Sequence, residues 1–162
     1  MTTAYIETSI PSFYFTGRTD PFAISRQQWT RRWWSELRGD FDCCASPAVI
    51  VELQRGSLDE LKTKRLALVS DLPMLEISPG VREIAKIYVD RLLMPNDADG
   101  DALHLALASY HRLDVLLTWN CKHLANPNKF GHIAKINREL GLPVPLLTTP
   151  LNYLSEADSD GT

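Results

Sequence analysis

Four polar residues stand where predicted strands end or predicted helices run, and their types suit metal chemistry. They are Glu7, Glu52, Asp101 and Asn120. If folding gathers them, they form an oxygen-rich pocket with three negative charges, which is the kind of pocket that Mg²⁺ or Mn²⁺ prefers. Without a cation the three carboxylates would repel one another, and at least one of them would tend to retain its proton.

Each of these residues also has an interpretation that involves no chemistry. Glu7 is then a solvated residue at a strand end, and Glu52 leans outward from a half-buried helix. Asp101 is a helix cap, unless Asp99 takes that role instead. Asn120 then only turns the chain. One acid at a helix start is weak evidence, so only the set as a whole carries weight.

The residues around Asp101 and Asn120 predict a helix, a turn and a buried strand. Asp101 and Leu105 recur at helical spacing, so the acid lies on the same stripe as buried residues. The unbroken apolar run Val115–Leu117 is typical of a strand covered on both faces. In parallel α/β sheets the ligand sites lie beyond the carboxyl ends of the strands. Thr118 and Asn120 follow such an end, and we expect Asp101 to reach the same crevice.

Strands and helices alternate along the whole chain. Strands are predicted at residues 4–6, 41–45, 75–77, 115–117 and 144–147. Helices are predicted at residues 21–38, 47–56, 58–70, 79–93, 101–110 and 127–140, with a polar loop at 7–17 and another at 94–100. This order predicts a single α/β domain at residues 1–154 with a mostly parallel sheet flanked by helices. The acidic residues 155–162 are predicted to be a disordered tail.

Composition narrows the function classes. A net charge of −3 and a pI near 5.8 leave no general basic coat, so any contact with nucleic acid must be local. No apolar run is long enough to span a bilayer, and the first residues lack the pattern of a signal peptide. The three cysteines, an odd number without C-x-x-C spacing, indicate reduced thiols. We therefore expect a cytoplasmic protein that does not engage a membrane.

Several enzyme signatures are missing from the sequence. There is no glycine-rich phosphate loop, which argues against nucleotide-binding proteins of the P-loop or dinucleotide type. The serines near the amino end lack a nucleophile-elbow motif, which argues against an α/β-hydrolase. An H-E-x-x-H zinc signature is also absent. The oxygen-rich set therefore remains the main candidate for chemistry.

Histidines and lysines near the acids offer further contacts. His104 lies one turn after Asp101, and His123 follows Asn120; either contacts phosphate or assists proton transfer, or else serves as a polar lining or a cap. Lys122 and Lys129 follow the same strand end and are the best local candidates for contacts with the backbone of a nucleic acid. A solvated helix face is the alternative for these lysines.

The predicted helix after Asp20 carries three tryptophans among arginines. Such a cluster stacks nucleic acid bases, buries a helix or forms an interface. We expect packing or contact with a partner, either a second copy of the chain or a peptide of another protein. The tryptophans are Trp29, Trp33 and Trp34.

Taken in order, four segments resemble the PIN domain, the fold of the VapC-type toxins of bacterial toxin–antitoxin pairs. The order and approximate spacing agree over about residues 4–147. Glu7 stands where the family usually has Asp, and Asn120 stands where an acid is common. Asn offers an oxygen without a charge, so affinity for a second cation should be weaker. The matching segments are Glu7-Thr8-Ser9, Glu52 on an early helix, Asp101 opening an apolar helix, and Thr118-Trp119-Asn120.

The resemblance implies a three-layer α/β/α sandwich and metal-dependent cleavage of single-stranded or structured RNA by the toxin of a type II pair. It implies an antitoxin partner and a homodimer. The alternatives are a catalytically weak or inactive PIN domain that binds RNA or protein, and a small metal-dependent phosphohydrolase with another substrate. The implied roles are Mg²⁺ or Mn²⁺ binding by Glu7, Glu52 and Asp101, metal binding or water orientation by Asn120, and hydrogen bonding to the carboxylates by Ser9 and Thr118.

Overall fold

The computed structural model describes residues 1–56, 60–91, 93–95 and 97–154. Two predicted features fall outside these residues. One is the first part of the predicted helix at 58–70. The other is the acidic tail at 155–162.

The sheet is parallel throughout its described strands and has the order β2-β1-β3-β4. Ala4, Tyr5 and Ile6 are consecutive in the strand β1 and are all fully buried. Successive strand residues face opposite sides of a sheet, so helices must cover both faces. The prediction of a three-layer α/β/α sandwich is therefore confirmed. The strands are β1 (Thr2–Ile6), β2 (Phe41–Cys44), β3 (Val115–Leu117) and β4 (Leu146–Thr148).

Most of the helices begin at the predicted caps. Asp20 accepts a hydrogen bond from the Ala23 N–H, and Ser46 accepts one from the Ala48 N–H. Proline occupies the first helical position after each of these caps, where its fixed φ helps and its missing N–H costs nothing. The helices are α1 (Ser9–Tyr14), α2 (Pro21–Glu36), α3 (Pro47–Gln54), α4 (Glu60–Ser70), α5 (Pro79–Asp90), α6 (Asp101–Tyr110) and α7 (Pro127–Glu139).

Two predictions about local structure are wrong. The loop predicted at residues 7–17 contains the helix α1. Pro11 is compatible with this helix because it lies in the first turn, where backbone N–H groups have no acceptor within the helix. The strand predicted at 75–77 is reduced to a single bridge between Ala45 and Met74. There the Leu75 N–H donates to the Ala45 carbonyl at 2.8 Å, and no further ladder follows among the described residues.

Helix α6 runs through the core. All of its residues from Ala102 to Ser109 are buried, as expected for a helix that is apolar on every side. Its neighbour α5 packs beside it, and Tyr88 of α5 hydrogen-bonds to Asn137 of α7 at 2.5 Å. The start of α6, where Asp101 stands, is therefore held by the core. None of the described helices is both long and apolar enough to cross a bilayer.

The tryptophan cluster of α2 belongs largely to the core. Trp33 is fully buried, so of the two expectations for this cluster, packing and contact with a partner, packing is the one that applies to Trp33. Trp29 packs against the core and stacks on Trp119, with the ring centroids 6.1 Å apart. Burial of this stripe fixes α2 against the segment that follows β3.

Candidate metal centre

Glu7 extends the sheet just beyond β1 and carries a carboxylate that is almost fully buried. Its backbone N–H donates to the Leu117 carbonyl at 3.1 Å, which places Glu7 beside the end of β3. Its Oε1 accepts hydrogen bonds from the Ser9 hydroxyl at 2.5 Å and from the Thr118 hydroxyl at 2.6 Å. The Ser9 backbone N–H adds a third at 3.1 Å. Oε2 has no hydrogen-bond donor among the described residues.

The turn after β3 determines the direction of those hydroxyl bonds. The Trp119 N–H donates to Ser9 Oγ at 2.7 Å, and the Asn120 N–H donates to Thr118 Oγ1 at 2.9 Å. Each hydroxyl therefore accepts from the backbone and has its single proton left for Glu7. This arrangement holds Glu7 as an acceptor and fixes which of its two oxygens is engaged.

Glu52 on α3 lies close to Glu7, and the two carboxylates offer oxygen atoms within 4.8 Å of each other. Its Oε1 accepts a hydrogen bond from the Thr8 hydroxyl at 2.7 Å and also bonds to Nε2 of His104. Its Oε2, like that of Glu7, has no donor among the described residues. Both carboxylates therefore show the same pattern: hydrogen bonds hold Oε1, and Oε2 has no donor among the described residues.

The His104 imidazole is fully buried and bonded at both nitrogens. Its Nδ1 lies 2.6 Å from the Tyr5 hydroxyl, which lies 2.8 Å from Ser46 Oγ. Ser46 caps the helix that carries Glu52, so this chain of bonds ties the start of α3 to the same imidazole. The sequence placed His104 near Asp101, as a contact to phosphate, a proton-transfer group, a polar lining or a cap, but did not predict that it pairs with Glu52. It did not identify Tyr5 or Ser46 as parts of the site.

Charge in this pocket is balanced by the imidazole. Burial alone would lower the pKa of His104, but the hydrogen bond to Glu52 and the nearby carboxylates raise it above its ordinary value. Burial alone would raise the pKa of Glu52, yet the hydrogen bond and charge of His104 bring it below its ordinary value. For Glu52 this is the opposite of a retained proton. The expectation that at least one of the acids retains its proton left out the buried imidazole, and it does not apply to Glu52.

Glu7, Glu52 and His104 each offer a ligand atom within 4.8 Å of the others. Since both nitrogens of His104 are already engaged, we interpret the imidazole as an orienting group rather than a ligand. Asp101 does not belong to this group, because it has no ligand atom within 4.8 Å of all three residues.

Asp101 is the first residue of α6 and is half-buried. The cap position belongs to Gly100, without a side-chain bond, so the capping interpretation of Asp101 does not apply. Its carboxylate has no hydrogen-bond or salt-bridge partner in the described part of the chain. Together with Glu52 and His123 it lines a cleft of about 300 Å³.

Oxygen donors of this kind fit a hard divalent cation. The unpartnered Oε2 atoms of Glu7 and Glu52, together with the Asp101 carboxylate, are anionic oxygens with no donor among the described residues. Desolvated carboxylates without donors are unfavourable unless a cation or proton compensates them. The set therefore matches the chemistry of Mg²⁺ or Mn²⁺ better than that of a soft metal.

Asn120 and the basic residues lie in the turn after β3 and on α7. Asn120 Oδ1 accepts from the His123 N–H at 3.0 Å, which is the chain-turning role. Lys122 is exposed, whereas the Lys129 ammonium donates to the Leu93 carbonyl at 2.8 Å and lies 3.3 Å from His123 Nδ1.

The sequence spacing of Tyr5 and of His104 indicates that each lies on the same face as one of the acids. Tyr5 precedes Glu7 by two positions in an extended segment, which puts both on one face of the sheet. His104 follows Asp101 by three positions in a helix, which puts it on the neighbouring turn of the same face. Nothing in the local sequence indicates that the hydroxyl of Thr8 reaches Glu52, because the contact spans 44 residues.

The parallel sheet of order β2-β1-β3-β4 with helices on both faces defines an α/β fold. A chain of VapBC2 from Rickettsia felis, crystallised with a DNA fragment from the VapBC2 promoter, superposes on this chain with a TM-score of 0.56. The two are 15% identical, and the match covers 91% of this chain and 98% of the other. This similarity establishes the VapC-like PIN fold.

Two further solved structures are more distant. VapBC-5 from Mycobacterium tuberculosis, a member of the VapBC family of toxin–antitoxin systems, aligns at 15% identity and a TM-score of 0.46, covering 74% of this chain and 86% of that one. FitAcB from Neisseria gonorrhoeae aligns at 16% identity and a TM-score of 0.49, and the match covers 73% of this chain and 88% of the FitAcB chain. No protein-family model matches the chain, and no curated protein matches it in sequence.

Proposed function

We propose that this chain is a Mg²⁺- or Mn²⁺-dependent endoribonuclease and the toxin of a type II toxin–antitoxin pair. The observation that carries the proposal is the convergence of Glu7 and Glu52. Each has one carboxylate oxygen held by hydroxyl donors and one without a donor among the described residues. The VapC-like fold supports the same assignment.

Glu7, Glu52 and Asp101 would hold the cation. When bound, a divalent ion neutralises the phosphodiester, lowers the pKa of its water and stabilises the leaving oxygen. Ser9 and Thr118 orient the Glu7 carboxylate, and orienting donors of this kind typically affect metal affinity by 10- to 100-fold.

The remaining residues of the cleft have roles of their own. Asp101 has no protein partner among the described residues, so its carboxylate is suited to accept a proton from the attacking water. Asn120 would bind the metal through its side-chain oxygen or orient water, and it holds the turn that places His123. Lys122 is exposed beside this turn and suits contact with the RNA backbone.

A cleavage assay tests the function directly. With RNA of mixed sequence and Mg²⁺ or Mn²⁺, the wild-type protein should produce internal cuts, and Asp101→Asn should produce none. Asp90→Asn removes the same charge from an exposed site on α5 and should retain the wild-type rate. Undiminished cutting in excess chelator would overturn the metal dependence.

The same preparation separates the alternative functions. RNA that binds without being cut, at any concentration of Mg²⁺ or Mn²⁺, would favour a binding module whose metal site is weakened by Asn120. Faster hydrolysis of small phosphoesters than of RNA would favour a phosphohydrolase.

Partners are part of the proposal. We propose an antitoxin as one partner and a second copy of the chain as another. Helix α2 presents Phe22, 77% exposed, and the partly exposed Ile24 near its start, and apolar residues of this kind suit an interface. Phe22→Ser should shift the sedimentation coefficient towards that of a monomer, and an unchanged coefficient would exclude this face.

A further inference from the structure

His123 lies at the wall of a cleft that two of the proposed metal ligands, Glu52 and Asp101, also line. Its backbone N–H donates to Asn120 Oδ1 at 3.0 Å, so a tight turn fixes its position immediately after β3. Its half-buried side chain lines the cleft of about 300 Å³ together with Glu52 and Asp101. Glu52 comes from α3 and Asp101 from α6, so His123 belongs to a different wall of the cleft.

Lys129 determines which nitrogen of that ring carries the proton. Its ammonium donates to the Leu93 carbonyl at 2.8 Å and lies 3.3 Å from His123 Nδ1. An ammonium has protons to donate and no lone pair to accept with. His123 Nδ1 must therefore be the acceptor, which leaves a neutral ring with its proton on Nε2.

A ring in that tautomer can donate a hydrogen bond from Nε2, but its Nε2 can neither bind a metal nor act as a base. Nε2 carries a proton, so it offers neither a lone pair for a metal nor a base for water. It offers one N–H group, and that group has no acceptor among the described residues. Unlike a cation, a neutral N–H can approach an anionic oxygen beside a metal without repelling the ion.

We propose that His123 Nε2–H contacts the substrate, donating a hydrogen bond to an oxygen of the scissile phosphodiester, and that Lys129 is the positioning residue that holds the required tautomer. This inference rests on the proposed nuclease function. The donor stabilises the negative charge that grows on phosphate oxygens in the transition state, and no proton is transferred. Lys129 therefore acts through His123 rather than by gripping the RNA backbone.

The first test is the tautomer itself. In ¹⁵N–¹H correlation spectra of the wild-type protein, the His123 ring should show a protonated Nε2 and an unprotonated Nδ1. Lys129→Met should lose this preference and show a mixture. Lys135→Met removes an exposed lysine from the same helix and should leave the ring signals unchanged. A wild-type ring protonated at Nδ1 would overturn the proposal.

The second test measures rate and binding separately. Under single-turnover conditions with saturating RNA and Mn²⁺, His123→Leu should lower the cleavage rate by about 100-fold, the effect typical of removing one donor to a developing charge. Lys129→Met should lower the rate by about 10-fold, as expected for the loss of an orienting contact. His123→Gln, which keeps an N–H near the same place, should recover part of the loss.

Measurements of RNA binding distinguish a positioning role of Lys129 from direct contact between Lys129 and the RNA backbone. In the Asp101→Asn background, Lys129→Met should leave the affinity for RNA and its salt dependence unchanged. A loss of about one counterion in the salt slope, with the cleavage rate intact, would show that Lys129 holds phosphate and would overturn the inference.

Failure of the nuclease assignment would look different. If the wild-type protein cuts no RNA with Mg²⁺ or Mn²⁺ present, the proposed function fails. The His123 inference is then decided by adding RNA, and separately inorganic phosphate, to ¹⁵N-labelled protein. A shift of the His123 Nε2–H signal would support the contact, and no shift with either probe would reject it.

Discussion

The carboxylate of Glu52 and the fully buried imidazole of His104 are joined through Oε1 and Nε2. Nδ1 of the same imidazole lies 2.6 Å from the Tyr5 hydroxyl. This pairing raises the pKa of His104 and lowers that of Glu52, and it determines which oxygen of Glu52 remains available. Stability and the proposed metal chemistry therefore depend on one buried side chain.

Removing that side chain should cost stability. His104→Leu leaves Glu52 and Tyr5 without a buried partner, and we expect a loss of about 3 kcal/mol in the free energy of unfolding. His132→Leu changes an exposed histidine on α7 and should stay within about 0.5 kcal/mol of wild type. Urea unfolding followed by circular dichroism measures both. Equal effects of the two variants would contradict the structural role of His104.

Metal binding should appear as thermal stabilisation. A ligand that binds only the folded state at about 100 times its dissociation constant contributes about 2.7 kcal/mol. Mn²⁺ at that level should raise the melting temperature of the wild-type protein, and chelator should reverse the rise. Glu7→Gln should abolish the gain, because the amide offers no negative charge to the ion. Glu83→Gln, at an exposed position on α5, should keep it.

The result for Glu7→Gln also bears on the site assignment. An unchanged Mn²⁺-induced rise in this variant would show that the ion binds elsewhere. Calorimetric titration with the metal alone then gives the number of ions bound per chain.

A buried polar cluster should be a second determinant of stability. The Asn137 amide donates to Ser109 Oγ and to the Pro143 carbonyl, both at 3.0 Å, and accepts from the Tyr88 hydroxyl. Asn137→Ala leaves these groups unsatisfied, and we expect a loss of about 2 kcal/mol. Asn128→Ala, exposed on the same helix, is the matched control. A negligible loss in Asn137→Ala would mean that water replaces the amide without cost.

Acid stability should depend on Asp114. The Thr3 backbone N–H and hydroxyl both donate to this exposed carboxylate, at 2.9 and 3.1 Å, and lower its pKa below the ordinary value of 3.8. A lowered pKa in the folded state adds stability above the ordinary pKa, and this contribution disappears as the pH falls through the folded value. Asp114→Asn should therefore flatten the loss of stability below about pH 4.

Urea midpoints measured from pH 6 down to pH 2 test this prediction. Asp71→Asn, at an exposed residue just after α4, should retain the wild-type slope. If the Asp114→Asn curve ran parallel to that of wild type, the bonds to Thr3 would have no thermodynamic effect.

Local rules predicted much of the architecture. The proline after Asp20 and the proline after Ser46 marked helix starts that the structure reproduces, because a cap is decided within a few residues. The apolar run of β3 was predicted as a buried strand for the same reason. Helix α1 was missed because its residues were interpreted as part of a polar loop, although Pro11 in the first turn is compatible with a helix.

By itself, the sequence determined where helices and strands form and which acids stand at their ends, since those features depend on neighbouring residues. Only the tertiary structure decided that His104 pairs with Glu52, that Ser9 and Thr118 share one oxygen of Glu7, and that Lys129 turns towards His123. The reason is physical: hydrogen bonds between residues 52 and 104 or 9 and 118 depend on how distant segments pack, and no local pattern records that packing.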